Sequence, residues 1–454
     1  MKYLLSSTKI RNSFVFMCIC GITACKYKAL EEQTSASFNT NTVIENLLLP
    51  QCDGECSCDE IVNPFNDTGV SIAGDFPEGN FQNCNNQSDF FQDCDVGKDT
   101  NQSVTHDGHL GFRFSKLDSN GQVVAQIETA SCVLDNNTGL IWEVKAPANS
   151  GLLQDSEYSY TYTNLQLTAY NSAQQGQCEA DCTTEKYIEK INALALCGFS
   201  DWRLPNKVEL QDLLNYNQSQ PAIDTDFFPN TKSSFYWTSS LDVDDSGSVW
   251  AVDFNVGRVA GGKVSDPRYI RLVRGDALVH GSSLPVLAQE QVSERRRLNA
   301  PQQRCNDIEA FSSPVSRYKQ DNEGHVLDTL TGLIWQRCIA GLSGDDCQQG
   351  VAEKLNWQQA FNYAKQLNDV TPQARPWRLP SVKELQQNIE MACEEPPLNP
   401  FAFPNIPFGE VWSSTPNSRN ADTSYQYQYQ NSIIFYSPRT TQHYVHLVRD
   451  CKAI

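Results

Sequence analysis

Thr138-Gly139-Leu140-Ile141-Trp142 reads TGLIW, and Thr331-Gly332-Leu333-Ile334-Trp335 reads TGLIW again. Each is followed, in the same order, by Trp-Arg-Leu-Pro at 202–205 and 377–380 and by Phe-Pro-Asn at 228–230 and 403–405. Next come Trp237-Thr238-Ser239-Ser240 or Trp412-Ser413-Ser414, and last YIRLVR at 269–274 or YVHLVR at 444–449. From the first Trp-Arg-Leu-Pro onward the two series stay a constant 175 residues apart. Composition alone does not hold a register over about 70 residues; two copies of one folding unit do. Function is then written either in the shared frame or in what the copies do not share.

Each copy has a mixed grammar. TGLIW has the content of a buried strand. Trp357, Ala360, Phe361, Ala364 and Leu367 fall at helical spacing, matched in the first copy by Tyr187, Ile188, Ile191 and Leu194. A second helix follows each Trp-Arg-Leu-Pro: Ser381 with Glu384 makes a capping box and Asn206 with Glu209 a close variant. Short strands rich in Tyr, Trp and Val then lead to the closing YIRLVR or YVHLVR. Strand, two helices and a strand-rich end is an α+β order. Upstream, 111–117 alternates as a strand should, and Asp118-Ser119-Asn120-Gly121 makes a turn after it.

The N-terminus reads as an export signal over residues 1–24. Lys2, Lys9 and Arg11 precede a short apolar stretch, Phe14 to Ile22, too short to span a bilayer. Ile22-Thr23-Ala24-Cys25 resembles a bacterial lipobox, which implies acylation of Cys25 and anchoring at the outer membrane or cell surface. Plain cleavage after Ala24, giving a periplasmic or secreted chain, is the competing reading. Residues 25–50 have the composition of a tether and 51–125 that of a cysteine-rich segment. The copies are expected at 126–275 and 305–454, with a linker over 276–304.

Cysteine usage fits an oxidising compartment. Of 17 cysteines, Cys18 and Cys20 leave with the signal and Cys25 is acylated, so an even 14 remain. Cys56-x-Cys58 and Cys178-x3-Cys182 lack the second pair that a closed zinc site requires. The candidate disulfides are Cys132–Cys197, Cys178–Cys182, Cys338–Cys347 and Cys305–Cys451, and a link from Cys393 to the N-terminal group stays open. The formal charge of −19 repels nucleic acid and anionic glycans at long range.

Together the repeated motifs resemble the DUF1566 family, also called the Lcl C-terminal domain after a collagen-like bacterial adhesin. The resemblance covers about 130–275 and 320–451. It implies two tandem C-type-lectin-like domains, similar also to the formylglycine-generating and fibrobacter surface-domain groups, whose first and last strands meet in one antiparallel sheet. It also implies ligand binding in the long region before the closing strand, about 238–266 and 413–439. No catalytic constellation accompanies it. The formylglycine-generating relatives use a cysteine pair where this chain has only Cys451, and His325, His443 and His446 come without an arranged partner.

In that region the copies differ. Asp242, Asp244 and Asp245, ahead of Trp250, are hard oxygen ligands for a Ca²⁺, or else an acidic turn. Tyr425, Tyr427 and Tyr429 alternate with Gln426, Gln428 and Gln430, so the tyrosines share one strand face. Outward, that face is a platform for carbohydrate or protein; inward, it is core. Trp202, Trp377 and their arginines are expected to serve the fold. The resulting expectation is a lipid-anchored binding protein, an adhesin or lectin-like molecule for extracellular glycan or protein. An envelope-assembly lipoprotein is the alternative, and an enzyme on a formylglycine-generating scaffold a more distant one.

Overall fold

A computed structural model describes residues 65–74, 80–83, 91–96, 111–164, 176–275, 304–305 and 312–451, less 127–128, 243–244, 246, 371–374 and 392. Cys25, the tether, the linker and Asp244 lie outside the described residues.

Both copies build the same four-stranded antiparallel sheet. In the first, Phe114–Leu117 pairs with Cys132–Asp135, then Ile141–Glu143, then Val273–Arg274. In the second the order is Tyr318–Gln320, Val326–Asp328, Leu333–Trp335 and Val448–Asp450. TGLIW therefore supplies the third strand and the last repeated motif the fourth, bringing the two ends of each copy together. The glycine of TGLIW has a backbone reason: Gly139 and Gly332 turn between strands at φ +75° and +73°, where a β-carbon is disfavoured. Since Phe114–Leu117 is part of this sheet, the first copy's fold begins ahead of residue 126.

The helices fall where the apolar spacing placed them, at Thr184–Leu194 and Trp357–Val370. The short second helices, Lys207–Asp212 and Val382–Gln387, each carry a complete capping box, on Asn206/Glu209 and Ser381/Glu384. Among the described residues no helix is long and apolar enough to cross a membrane.

The region expected to form ligand loops is instead a second sheet. In the first copy Phe235–Leu241, Ser248–Asp253 and Arg258–Lys263 run as an antiparallel meander. The second copy repeats it at Glu410–Pro416, Thr423–Gln428 and Ile433–Pro438, adding Lys354–Leu355 and His443–Tyr444 at one edge. All six residues of Ser248–Asp253 are buried. Val249 and Ala251 face the first copy's own core, while Trp250 and Val252 enter a core cluster that also holds Tyr425, Tyr427 and Ile434. One apolar core thus runs through both copies, and Phe65 and Val70 of the N-terminal segment join it.

The joint is also polar. The Asn66 backbone N–H donates to both carboxylate oxygens of Asp212, at 3.1 and 3.0 Å, and its amide donates to Asp135 at 2.6 Å. Lys383, from the second copy's short helix, donates through Nζ to the carbonyls of Asp67 (2.6 Å) and Asp212 (2.8 Å). Burial pushes the Lys383 ammonium down to about 8, against the opposing pull of Asp212. The N-terminal segment, the first copy and the second therefore share one set of buried hydrogen bonds.

Candidate functional site

The tyrosine face points inward, which corrects the platform reading. Tyr425, Tyr427 and Tyr429 are at most 2% exposed. Two of the hydroxyls meet protein groups: Arg419 donates to Tyr425 at 2.9 Å, and Tyr429 lies 2.9 Å from Nδ1 of His446. The strand does alternate with period two, but period two does not say which face is wet. Here the opposite face is covered too, with Gln426 also buried. Trp250 fails as a ligand platform for the same reason. It is the 175-residue counterpart of Tyr425, buried, with the Lys207 ammonium 4.3 Å from its ring centroid.

The described residues of the acidic turn, Asp242 and Asp245, belong to a hairpin turn. Asp245 accepts from the Gly247 N–H at 3.1 Å and the Ser248 hydroxyl at 2.9 Å, and pairs with Lys263. The Lys263 contact, with those bonds, holds the Asp245 carboxyl down at about 2. Asp242 is half-buried beside it, its N–H directed at the Ser248 carbonyl.

Trp-Arg-Leu-Pro serves the fold. Arg203 grips the capping carboxylate Glu209 with two bonds of 2.8 Å, and Arg378 grips Glu384 with two of 2.7 Å. The preceding tryptophans are tied to the long helices, Trp202 through Asn192 and Trp377 through Asn368. Cys132–Cys197, Cys178–Cys182 and Cys338–Cys347 are disulfides. Cys393 and Cys451 are disulfide-bonded as well. The backbone ladder sets Cys305 opposite Cys393, and the side chain of Cys305, with the expected Cys305–Cys451 link, lies outside the described residues.

A cleft of about 280 Å³ opens elsewhere, in the second copy. Gln320, Glu323 and His325 come from the hairpin between the first two strands, Gln336 and Arg337 from just after TGLIW, and Tyr363 from the long helix. The loop closed by Cys338–Cys347 forms the remaining wall, from Cys338 to Asp345. At the hairpin tip, ligand atoms of Asp321, Glu323 and His325 lie within 4.8 Å of one another. That group is largely self-satisfied. Asp321 Oδ1 accepts the N–H groups of Glu323 and His325, and Oδ2 lies 3.0 Å from His325 Nδ1 and 3.8 Å from Arg449. Against burial, which raises it, the His325 bond and charge keep the Asp321 carboxyl below its usual value.

Two features of the sequence mark this cleft. Arg337 stands two residues after TGLIW, where the first copy has Val144. The loop that follows is closed in the second copy by the pair Cys338 and Cys347, and the first copy has Lys145 where Cys338 stands. There Glu143, Lys145 and Tyr187 form a fully buried network, with Lys145 Nζ 2.9 Å from both partners. It resembles a catalytic constellation in composition, but its members are buried at 0–3% exposure, so it acts as a structural tie.

Architecture and site together define an α+β protein with a doubled module and a polar cleft in its second copy. The Lcl C-terminal domain family matches residues 131–274 and 324–449, more than half of the chain, and the chain belongs to that family. No curated protein and no solved structure was found to match it.

Proposed function

We propose that this chain is an exported protein held at a bacterial surface by lipid on Cys25, acting by binding rather than catalysis. Its modules are read as variants of the C-type-lectin-like fold, and its ligand as an extracellular glycan or protein. The observation that carries this reading is the second-copy cleft, where Gln320, Gln336, Arg337 and Tyr363 offer planar polar groups and an aromatic edge around one concave space. The tyrosine strand and the acidic turn have no part in it. The charge of −19 disfavours polyanionic partners such as nucleic acid.

The test is a glycan array and a pull-down with the lipid-free mature chain, with and without calcium, beside the variant Tyr363→Ala. Signal that falls at least ten-fold in the variant supports the reading. Retention of a single envelope protein, unaffected by the variant and without glycan signal, would replace it with the assembly role.

A further inference from the structure

Arg337 is the unusual member of the cleft. Arg317, Arg378 and Arg203 each meet a carboxylate within 2.8 Å. Arg337 instead gives Nη1 to the neutral amide of Gln320 at 2.7 Å, and its buried Nε has no hydrogen-bond partner. Among the described residues no carboxylate forms an ion pair with it, although acidic residues outnumber basic ones by 54 to 35. A half-buried cation is costly when unanswered, and the Nε–Nη2 edge of a guanidinium is the fork that takes a carboxylate side-on. Burial pulls the Arg337 guanidinium down, with only the exposed Asp345 opposing at longer range.

Resting on the binding reading above, we infer that the cleft takes the carboxylate of one small polar ligand on Arg337. Glu323, Asp345 and Gln336, which line the same cleft, then receive the ligand's hydroxyl or ammonium donors. A space of about 280 Å³ fits one monosaccharide or amino acid rather than a polymer segment. Glu323 and Asp345 at the mouth are both exposed and anionic, so they repel a polyanion while leaving room for a single carboxylate whose neighbours are donors. Two sources carry this chemistry, a uronic acid and a free α-amino acid.

Isothermal titration of the lipid-free mature chain with D-glucuronate, D-glucose and L-alanine tests it. Glucuronate and glucose differ only in carboxylate against hydroxymethyl at one carbon. At least one carboxylate probe is expected to bind ten-fold or more tighter than glucose, and to weaken as salt is raised. Arg337→Gln should lose at least ten-fold and Arg337→Lys less, with thermal melts showing that both variants are folded. Binding by glucuronate alone assigns an acidic sugar, and binding by alanine alone an amino acid. Equal binding of glucose, undiminished binding in Arg337→Gln, or no binding by any probe would overturn the inference. Array or pull-down signal that depends on Tyr363 but not on Arg337 would sink this inference alone and leave the cleft as the binding site.

Discussion

Tyr216 of the first copy and Tyr425 of the second meet edge to face, with ring centroids 4.9 Å apart and planes at 71°. The contact lies in the core shared by the copies, beside the Gln386 amide, which donates to the Tyr216 hydroxyl at 3.1 Å. A residue read from the sequence as a binding candidate therefore works as a joint. Tyr425→Ala should cost about 3–5 kcal/mol, the usual range for deleting a buried aromatic. Because the core is continuous, urea unfolding followed by tryptophan fluorescence and by circular dichroism should stay one coincident transition, shifted to lower urea. Two separated transitions would show that the copies are independent.

The repeated Arg-Leu-Pro is not equally buried in its two settings. The Arg378 side chain is 3% exposed and also holds Asp450 at 3.0 Å, whereas Arg203 is 38% exposed. Arg378→Met leaves Glu384 and Asp450 unanswered in a buried site and should cost about 3–5 kcal/mol. Arg203→Met removes a guanidinium that is itself 38% exposed, while the buried Glu209 keeps its bond from the Asn206 N–H, and should cost less, about 1 kcal/mol. Denaturant midpoints of the two variants check the order, and equal losses would contradict this account.

The sequence was most legible where local rules decide. Capping boxes, the αL glycine of TGLIW and apolar spacing along Trp357–Val370 depend on neighbours in the chain, and each element formed where those signals lie. The tyrosine strand shows the limit. Alternation fixed its faces, but burial was settled by the other copy, through residues such as Tyr216 some 200 positions away. The fixed offset of 175 held a usable clue, because it equates Tyr425 with Trp250 and Tyr427 with Val252, which is apolar in a strand buried throughout. The cleft stayed hidden for the opposite reason: it arises from a departure from the repeat, and the motifs drew attention to what is shared.

The two first-copy disulfides close very different loops. Cys132–Cys197 spans 65 residues and Cys178–Cys182 spans 4. In the chain-entropy description the long loop contributes about 4 kcal/mol and the short one about 2. Replacing both cysteines of a pair by Ala should lower the denaturation midpoint about twice as far for Cys132/Cys197. Cys132 and Cys197 are also at most 1% exposed, so the loss falls inside the first copy's core. A larger effect from the Cys178/Cys182 pair would place the stabilisation in native contacts instead.

His446 gives the fold an acid limit. It replaces Arg271 of the first copy and is fully buried between Trp335, Phe403 and Tyr429. Its Nε2 lies 2.7 Å from the Gln336 carbonyl, and its Nδ1 faces the Tyr429 hydroxyl, so a neutral ring satisfies both contacts. Burial pushes its pKa from 6.5 down to about 4, with the Gln336 bond opposing. The unfolded chain thus binds this proton more readily than the folded one. Stability is fully present above pH 6.5 and falls as the pH drops towards 4. For this one group about 2 kcal/mol should be gone by pH 5. His443, also pushed down to about 4 by burial against the pull of Glu410, adds in the same window. Urea midpoints at pH 7 and pH 5 measure the loss, and carboxylate titration contributes equally to parent and variant. His446→Gln keeps an amide donor for Gln336 and an acceptor for Tyr429 but cannot titrate. It should therefore lose less stability between those two pH values than the parent chain, even if it starts lower at pH 7. An unchanged pH slope in the variant would mean that His446 does not set the acid limit.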